Sequence, residues 1–501
     1  MENKESMFYP SIVENIARHA AETPDKLCLA DASCSRSYKE VWSCIYGLSK
    51  HLKENGLEQG RCVVVECNQS VDYMIWEFAI QLAGGVFVPL EKNAALSRVL
   101  EIAFETEAVI HVGAEEIEEL RSAGIRFEAV DTAADYAEYA DPDTVEFPEA
   151  ETVSEILFST GTTGKSKGIV LTHRNDTALA ENVCTGVKMK PDNVEMIPMP
   201  LSHSHGLRRT YGNMANGSSV VFVDGIMLLK KVFNMMDTYH VTSMDISPSM
   251  LNIIFKLSKD RLGDYADVMD YIQLGSAPLA EEDKEHLARI LPKTRLYNFY
   301  GSTEAGCSCL MDFNNEHRPH GCIGKPAVNA HFIVVDENRK EIQSSPENLG
   351  FLASSGAINM KEYFKAPELT REAMPDGDYI YTKDLGYIDE DGYVYMLGRK
   401  DDVINYGGVK ISPEDIESAV IKNDIVKDCA CIPIDDPLTG QAPKLYVVLE
   451  DGAELDLKEF KTYLAQVIDA NKLPTRIEQI DEIPRTFNGK IIRKQLIAMN
   501  K

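Results

Sequence analysis

Residues 159–168 read STGTTGKSKG. The segment closes like a nucleotide-binding loop, since Gly164-Lys165-Ser166 fit the end of the pattern G-x-x-x-x-G-K-[ST]. The pattern's first glycine, however, would fall at position 159, where Ser159 stands. Apolar Ile156-Leu157-Phe158 lead into the loop and Ile169-Val170-Leu171 lead out of it, which predicts a connection between two strands. A loop that opened a helix would add a helix N-terminus to a phosphate site. This one has to work with backbone N–H groups, the hydroxyls of Ser159, Thr160, Thr162 and Thr163, and the charges of Lys165 and Lys167. Gly161, Gly164 and Gly168 let the backbone come close to an anion. On its own the loop reads as a phosphate cradle or as a flexible hairpin tip.

Upstream, strands alternate with helices. CVVVECN (62–68) reads as a strand, VDYMIWEFAIQLAGG (71–85) as a helix ended by glycines, and VFVPL (86–90) as the next strand. That order implies βαβ units and a parallel sheet, so the fold class is α/β. Downstream, GYVYMLGRKDD gives way near Gly398–Asp402 to VINYGGVKISPEDIESAVI. This stretch reads as strand, turn and helix, with Ser412 as N-cap and Pro413 in the first helical position. The residues beyond are enough for a small second domain.

A chain of 501 residues exceeds one ordinary core, and 44% hydrophobic with 26% charged residues is the composition of a globular protein. The formal net charge of -28 argues against nucleic acid as a partner, because neutralising phosphates requires a basic face. Residues 101–155 concentrate the acidity, with 17 Asp and Glu against 2 Lys and Arg, and read as solvated surface. The opening MENKESMFYP lacks the apolar core of a signal peptide, and no apolar run reaches transmembrane length. A cytoplasmic protein is expected. Eleven cysteines form no C-x-x-C pair and read as buried thiols in preference to metal ligands.

The opening loop extends as STGTTGKSKGIVLTHRN, and six further segments follow it in order. They are PLSHSHG (200–206), GSAPL (275–279), YGSTE (300–304), YTKDLGYIDEDGY (381–393), GRKDDVINYGGVKISPEDIE (398–417) and PRTFNGKIIRKQL (484–496). Together they resemble the signature motifs of the AMP-forming acyl-adenylating superfamily, which includes acyl-CoA synthetases, peptide-synthetase adenylation domains and beetle luciferases. The resemblance implies a large N-terminal domain of mixed sheets and helices, residues 1–400, holding the ATP and acid sites. It also implies a small mobile C-terminal α+β domain, residues 401–501, with its hinge at Asp401.

What the resemblance implies for single residues is chemically coherent. Bringing a carboxylate onto the α-phosphate of ATP requires phosphates, Mg²⁺, adenosine and a second anion to be held in line. Ser159 to Lys165 would cradle phosphates. In Tyr300-Gly301-Ser302-Thr303-Glu304, Tyr300 would offer a flat face to adenine, Thr303 a hydroxyl near the α-phosphate, and Glu304 an oxygen ligand for Mg²⁺. Backbone groups of Gly275-Ser276-Ala277 would wall the base. Asp384 and Arg399 would grip the ribose hydroxyls; Lys383 stands where the superfamily usually has glycine, free either to pair with Asp384 or to point to solvent. Gly407-Gly408 would line a tunnel for a phosphopantetheine arm, or form a plain hairpin turn. Lys490 would meet the reacting carboxylate and α-phosphate, and its surroundings resemble a segment acetylated in related synthetases.

For the acid, His203 is expected at the floor of the acyl pocket and Ser204 beside it. Serine in place of the aspartate that amino-acid-adenylating relatives carry there disfavours an α-amino acid. Arg208 either faces this pocket, favouring a polar or second-carboxylate tail, or lies on the surface. His203 is alternatively a satisfied core histidine. The acceptor thiol belongs to coenzyme A or to an acyl-carrier protein, with coenzyme A preferred because no carrier domain is fused. The leading expectation is therefore an acyl-CoA synthetase using ATP, Mg²⁺ and coenzyme A. The runner-up is a stand-alone enzyme loading a carrier protein, and a phosphate-binding NTPase or switch is the remote alternative.

Overall fold

The computed structural model describes residues 6–159, 167–277, 279–319, 321–406, 409–469, 472–485 and 491–500. Strand Cys62–Glu66, helix Val71–Leu82 and strand Val86–Leu90 form the expected βαβ unit, with the two strands parallel and in register from Cys62↔Val86 to Glu66↔Leu90. Ser70 caps the helix by accepting from Tyr73 N at 3.2 Å. The helix ends at Leu82, short of the expected 85, because Gly84 takes φ 87° and the amides of Gly84 and Gly85 turn back onto the carbonyls of Gln81 and Ile80. All residues of this helix except Asp72 are buried, so it lies inside the molecule.

The unit belongs to a seven-stranded sheet in which Val86–Leu90 is followed by Val153–Ser159 and then Lys167–Thr172. The last two are antiparallel and pair from Val153↔Thr172 to Ser159↔Lys167. The segment between Ser159 and Lys167 therefore joins two strands, as its apolar flanks predict. Its own residues from Thr160 to Ser166 lie outside the described residues.

A second sheet of thirteen strands has a parallel core, Val194–Ile197, Ser219–Phe222, Ser243–Ile246, Tyr271–Leu274 and Arg295–Ser302. It continues through antiparallel strands that include Gly306–Asp312, Tyr379–Ile388 and Val394–Arg399. Helix Ser204–Asn216 joins the two sheets. It is buried from His205 to Ala215, and neighbouring arginines on it reach carboxylates of opposite sheets, Arg208 to Glu155 and Arg209 to Glu195.

The C-terminal part forms its own five-stranded sheet, with helices Pro413–Val420, Leu457–Val467 and Arg493–Met499. Ile404, Ile411, Ile416, Cys431, Leu445 and Val447 belong to its core, separate from those of the larger part. Ser412 and Pro413 start the first of these helices as expected, although the Ser412 hydroxyl donates to Glu414 at 2.7 Å instead of capping the backbone. The fold is thus α/β with a large N-terminal and a small C-terminal part. No helix among the described residues is long and apolar enough to cross a membrane. Ten of the eleven cysteines are buried and all eleven are unpaired, in line with the reading as thiols.

Candidate active site

Parallel strands deliver their C-terminal ends to one edge of a sheet, and ligand sites in α/β proteins gather there. The strand Tyr271–Leu274 ends at Gly275-Ser276-Ala277, and Arg295–Ser302 carries Tyr300 to Ser302 at its end. Gly275 is obligatory: a Cβ on it would lie 1.8 Å from the ring of Phe299. Ser276 takes φ 73°, the left-handed region, which turns the chain outward and leaves Ser276 and Ala277 exposed.

Tyr300 and Asp384 meet, the Tyr300 hydroxyl donating to the Asp384 carboxylate. Arg399 approaches the other oxygen, its Nε 3.4 Å from Asp384 Oδ1, and the strands that carry the pair align Asp384 opposite Arg399. Burial and the neighbouring Asp384 charge hold the Tyr300 phenol well above its ordinary range, so it stays a donor. Lys383 is exposed, and Asp384 takes Tyr300 and Arg399 as its partners.

Thr303 and Ser204 bring the next two motifs together, their hydroxyl oxygens 3.1 Å apart. His203, the residue before the helix, provides no side-chain cap, so the positive end of the helix is left for another acceptor. Burial keeps the His203 imidazole below its ordinary pKa and therefore neutral at neutral pH. Glu304 Oε1 accepts from Tyr363 OH at 3.0 Å, and Lys167 Nζ stands 5.2 Å from the centre of the Tyr363 ring. Tyr363 thus links the carboxylate of one motif to the lysine of the phosphate loop; sequence reasoning missed it, because no motif surrounds it.

Among the described residues no three His, Cys, Asp or Glu side chains cluster as a metal site. A single carboxylate beside a phosphate loop suits Mg²⁺, an ion that binds proteins through one or two carboxylates and takes its other ligands from substrate phosphates and water. Glu304 fits that pattern.

Arg208 requires a correction: it neither faces the acyl pocket nor lies on the surface. Its Nη1 donates to Glu155 Oε1 at 2.5 Å and to Asp176 Oδ1 at 2.9 Å, deep between the helix and the seven-stranded sheet. The physical reason is that helix Ser204–Asn216 has no solvent face, so an arginine on it must be matched by buried carboxylates. Tyr211 OH adds a bond to Glu155 at 2.8 Å and also bonds Glu77, while Ser154 Oγ donates to Asp176 at 2.6 Å. Burial, then repulsion from Glu155, pushes the Glu77 and Asp176 carboxyls up, since one arginine cannot balance three carboxylates.

His205 was passed over in the sequence, although it sits inside SHSHG. Its Nδ1 lies 2.7 Å from Ser276 Oγ and its Nε2 2.8 Å from Asp245 Oδ2. Asp401 is exposed in the turn where the amides of Asp402 and Val403 both bond the Arg399 carbonyl. Gly407, Gly408 and Lys490 lie outside the described residues, as do Thr160, Gly161, Thr162, Thr163, Gly164 and Lys165.

A family model described as AMP-binding enzyme matches residues 16–364, and one described as AMP-binding enzyme C-terminal domain matches residues 415–490. The chain belongs to the AMP-binding enzyme family. Within the family it is an acyl-adenylating ligase of the acyl-CoA-synthetase kind. Peroxisomal OPC-8:0-CoA ligase 1 of Arabidopsis thaliana is 26% identical over 95% of this chain and 90% of its own length. 4-Coumarate–CoA ligase 3 of the same plant is 26% identical over 95% and 88%. ATP-bound MatB from Rhodopseudomonas palustris superposes with a TM-score of 0.87 at 25% identity, covering 98% of this chain and 99% of that one.

Proposed function

We propose that this AMP-binding enzyme activates a carboxylic acid with ATP, releases pyrophosphate, and passes the acyl group from AMP to the thiol of coenzyme A. The observation that carries the proposal is the 3.1 Å contact between Ser204 and Thr303. It sets the start of the acid-pocket helix against the residue assigned to the α-phosphate, so the two reacting groups would meet with no further rearrangement of the larger domain. Tyr300 holds adenine, and its hydroxyl keeps Asp384 turned to the ribose alongside Arg399. The loop from Ser159 to Lys167 holds the phosphates. Mg²⁺ bound through Glu304 would neutralise phosphate charge.

Neutral His203 and the uncapped helix end orient the acid carboxylate. In our reading Lys490, carried by the C-terminal domain, brings a positive charge to the point where carboxylate and α-phosphate meet. The domain boundary falls at residues 400 and 401. The smaller domain then turns about Asp401, and Gly407 and Gly408 line the path for the phosphopantetheine arm. The two plant relatives named above are CoA ligases, which supports coenzyme A over a carrier protein as acceptor. A cytoplasmic location is part of the same proposal.

The experiment is acid-dependent exchange of pyrophosphate into ATP over a panel of carboxylic acids, followed by addition of coenzyme A or a phosphopantetheinylated carrier. Exchange with at least one acid and consumption of coenzyme A thiol are expected. Exchange without any thiol consumption, when only the carrier is acylated, would move the enzyme to the carrier-loading class. Folded protein that exchanges with no acid would remove the ligase reading.

A further inference from the structure

A chain of three polar side chains runs from the core to the edge of the acid site. Asp245 is fully buried in strand Ser243–Ile246. Its Oδ1 accepts from His205 Nε2 at 3.0 Å and from Gln273 Nε2 at 3.3 Å, and its Oδ2 stands 2.8 Å from the same His205 nitrogen. His205 then reaches Ser276 Oγ through Nδ1 at 2.7 Å. Phe299 stands edge-on to the His205 ring, with centroids 4.7 Å apart, and fills the space over Gly275. His205 follows directly on Ser204, the residue in contact with Thr303.

Each member of this chain restricts the next. Asp245 engages one nitrogen of His205 and Ser276 the other, so the imidazole has no nitrogen left for a ligand. The polar group turned outward is therefore the Ser276 hydroxyl, on an exposed residue. When His205 Nδ1 carries a proton it donates to Ser276, whose own proton is then directed outward; when it does not, the hydroxyl donates inward and its oxygen accepts. A hydroxyl, keto or carboxylate oxygen can answer this serine, and a methylene or aryl edge cannot, because it would displace water from the outward side of the hydroxyl without replacing its hydrogen bond. Phe299 meanwhile occupies depth that a long or aromatic acid would need.

We infer that the Asp245–His205–Ser276 chain and Phe299 select short carboxylic acids bearing an oxygen on the tail, in preference to plain alkyl or aryl acids. The inference rests on the ligase reading and deepens it. Asp245 acts through His205 and is a positioning residue. The same residue types form nucleophilic triads elsewhere, with His Nε2 toward serine and Nδ1 toward aspartate. Here the nitrogens are used the other way round, and the serine binds without reacting.

The test is pyrophosphate exchange by the full-length enzyme with acids matched in length: butyrate against 3-hydroxybutyrate, acetoacetate and succinate, with hexanoate and benzoate as long and aryl probes. The wild type should favour an oxygen-bearing acid by about 10-fold in kcat/KM, the scale of one hydrogen bond. Asp245→Asn, which keeps the shape, should lose most of that ratio while the KM for ATP moves less than about 2-fold. Phe299→Ala should raise kcat/KM for hexanoate or benzoate. Equal use of butyrate and its oxygenated partners by the wild type overturns the inference, as does a ratio unchanged in Asp245→Asn. An acyl group found on Ser276 by mass spectrometry overturns it too. Exchange with no acid at all instead removes the ligase reading and the inference with it.

Discussion

Arg208 and Arg209 adjoin in sequence and serve opposite sheets, and each is held by carboxylates the sequence places far away. Arg208 pairs with both Glu155 and Asp176, so Arg208→Met should leave that buried acidic cluster without its counter-charge and destabilise the fold by ~3–5 kcal/mol. Urea unfolding measures it. Acid preference should be unchanged among whatever acids the variant still activates; a switched preference would return Arg208 to the acyl pocket. Tyr300→Phe keeps the ring and removes the donor to Asp384, so the KM for ATP should rise by about 10-fold while the fold is unaffected, on the scale of a hydrogen bond to a charged group. An unchanged KM would detach Asp384 from the ribose. The pairing of Asp384 with Arg399 was legible because both residues lie within conspicuous motifs. Arg208 was not, because one helix read alone does not reveal that sheets cover it on both sides.

The connection between Ser159 and Lys167 was legible as strand to strand because a continuous apolar triplet flanks it on each side, as in strands buried on both faces. The corresponding loop of the C-terminal part is framed by contacts no periodicity announces. Arg485 and Ile491 form an antiparallel bridge, and Ile492 N bonds Pro484 O at 2.8 Å, while residues 486–490 between them lie outside the described residues. Arg485 Nη2 is 2.6 Å from Asp428, and Arg493 Nη2 makes two bonds to Glu417, at 2.7 and 2.8 Å. Glu417 and Arg493 are 76 residues apart, beyond any local sequence signal. Burial pushes the Glu417 carboxyl up to about 7 from its ordinary 4.5, against the pull of Arg493 and with Glu414 adding repulsion. In that window the folded chain retains a proton the unfolded chain has released, so this contribution to stability is full below pH 4.5, falls as pH rises, and levels off above 7. Its total is ~3 kcal/mol. The stability advantage of wild type over Glu417→Gln should therefore shrink between pH 5 and pH 8 in thermal melts. A pH-independent difference would show that Glu417 is ionised throughout.

At the scale of the molecule, two separately cored parts meet through contacts suited to movement. Lys256 and Glu450 are 3.7 Å apart and Lys422 pairs with Glu282, all four side chains at least two-fifths exposed. Such pairs contribute ~0–1 kcal/mol each and can be exchanged during a rotation. Asp401 lies in the turn between the parts, and Asp401→Pro should restrict φ and impair one half-reaction more than the other. Equal loss of both in folded protein would argue against a turning domain. The order of motifs made the two-part architecture legible. The thirteen-stranded sheet was not, since it is completed by pairings distant in sequence, Cys322 opposite Tyr395 and Leu29 opposite Val220. The two half-reactions call on different residues of the C-terminal domain in the proposed mechanism, and Lys490→Ala separates them. Acyl-AMP formation should fall by ~10²–10³-fold, the usual effect of removing one preorganised charge from a transition state. Supplied acyl-AMP should still react with coenzyme A at near wild-type rate. Adenylation that survives the substitution, or two half-reactions that fall together, would contradict the account.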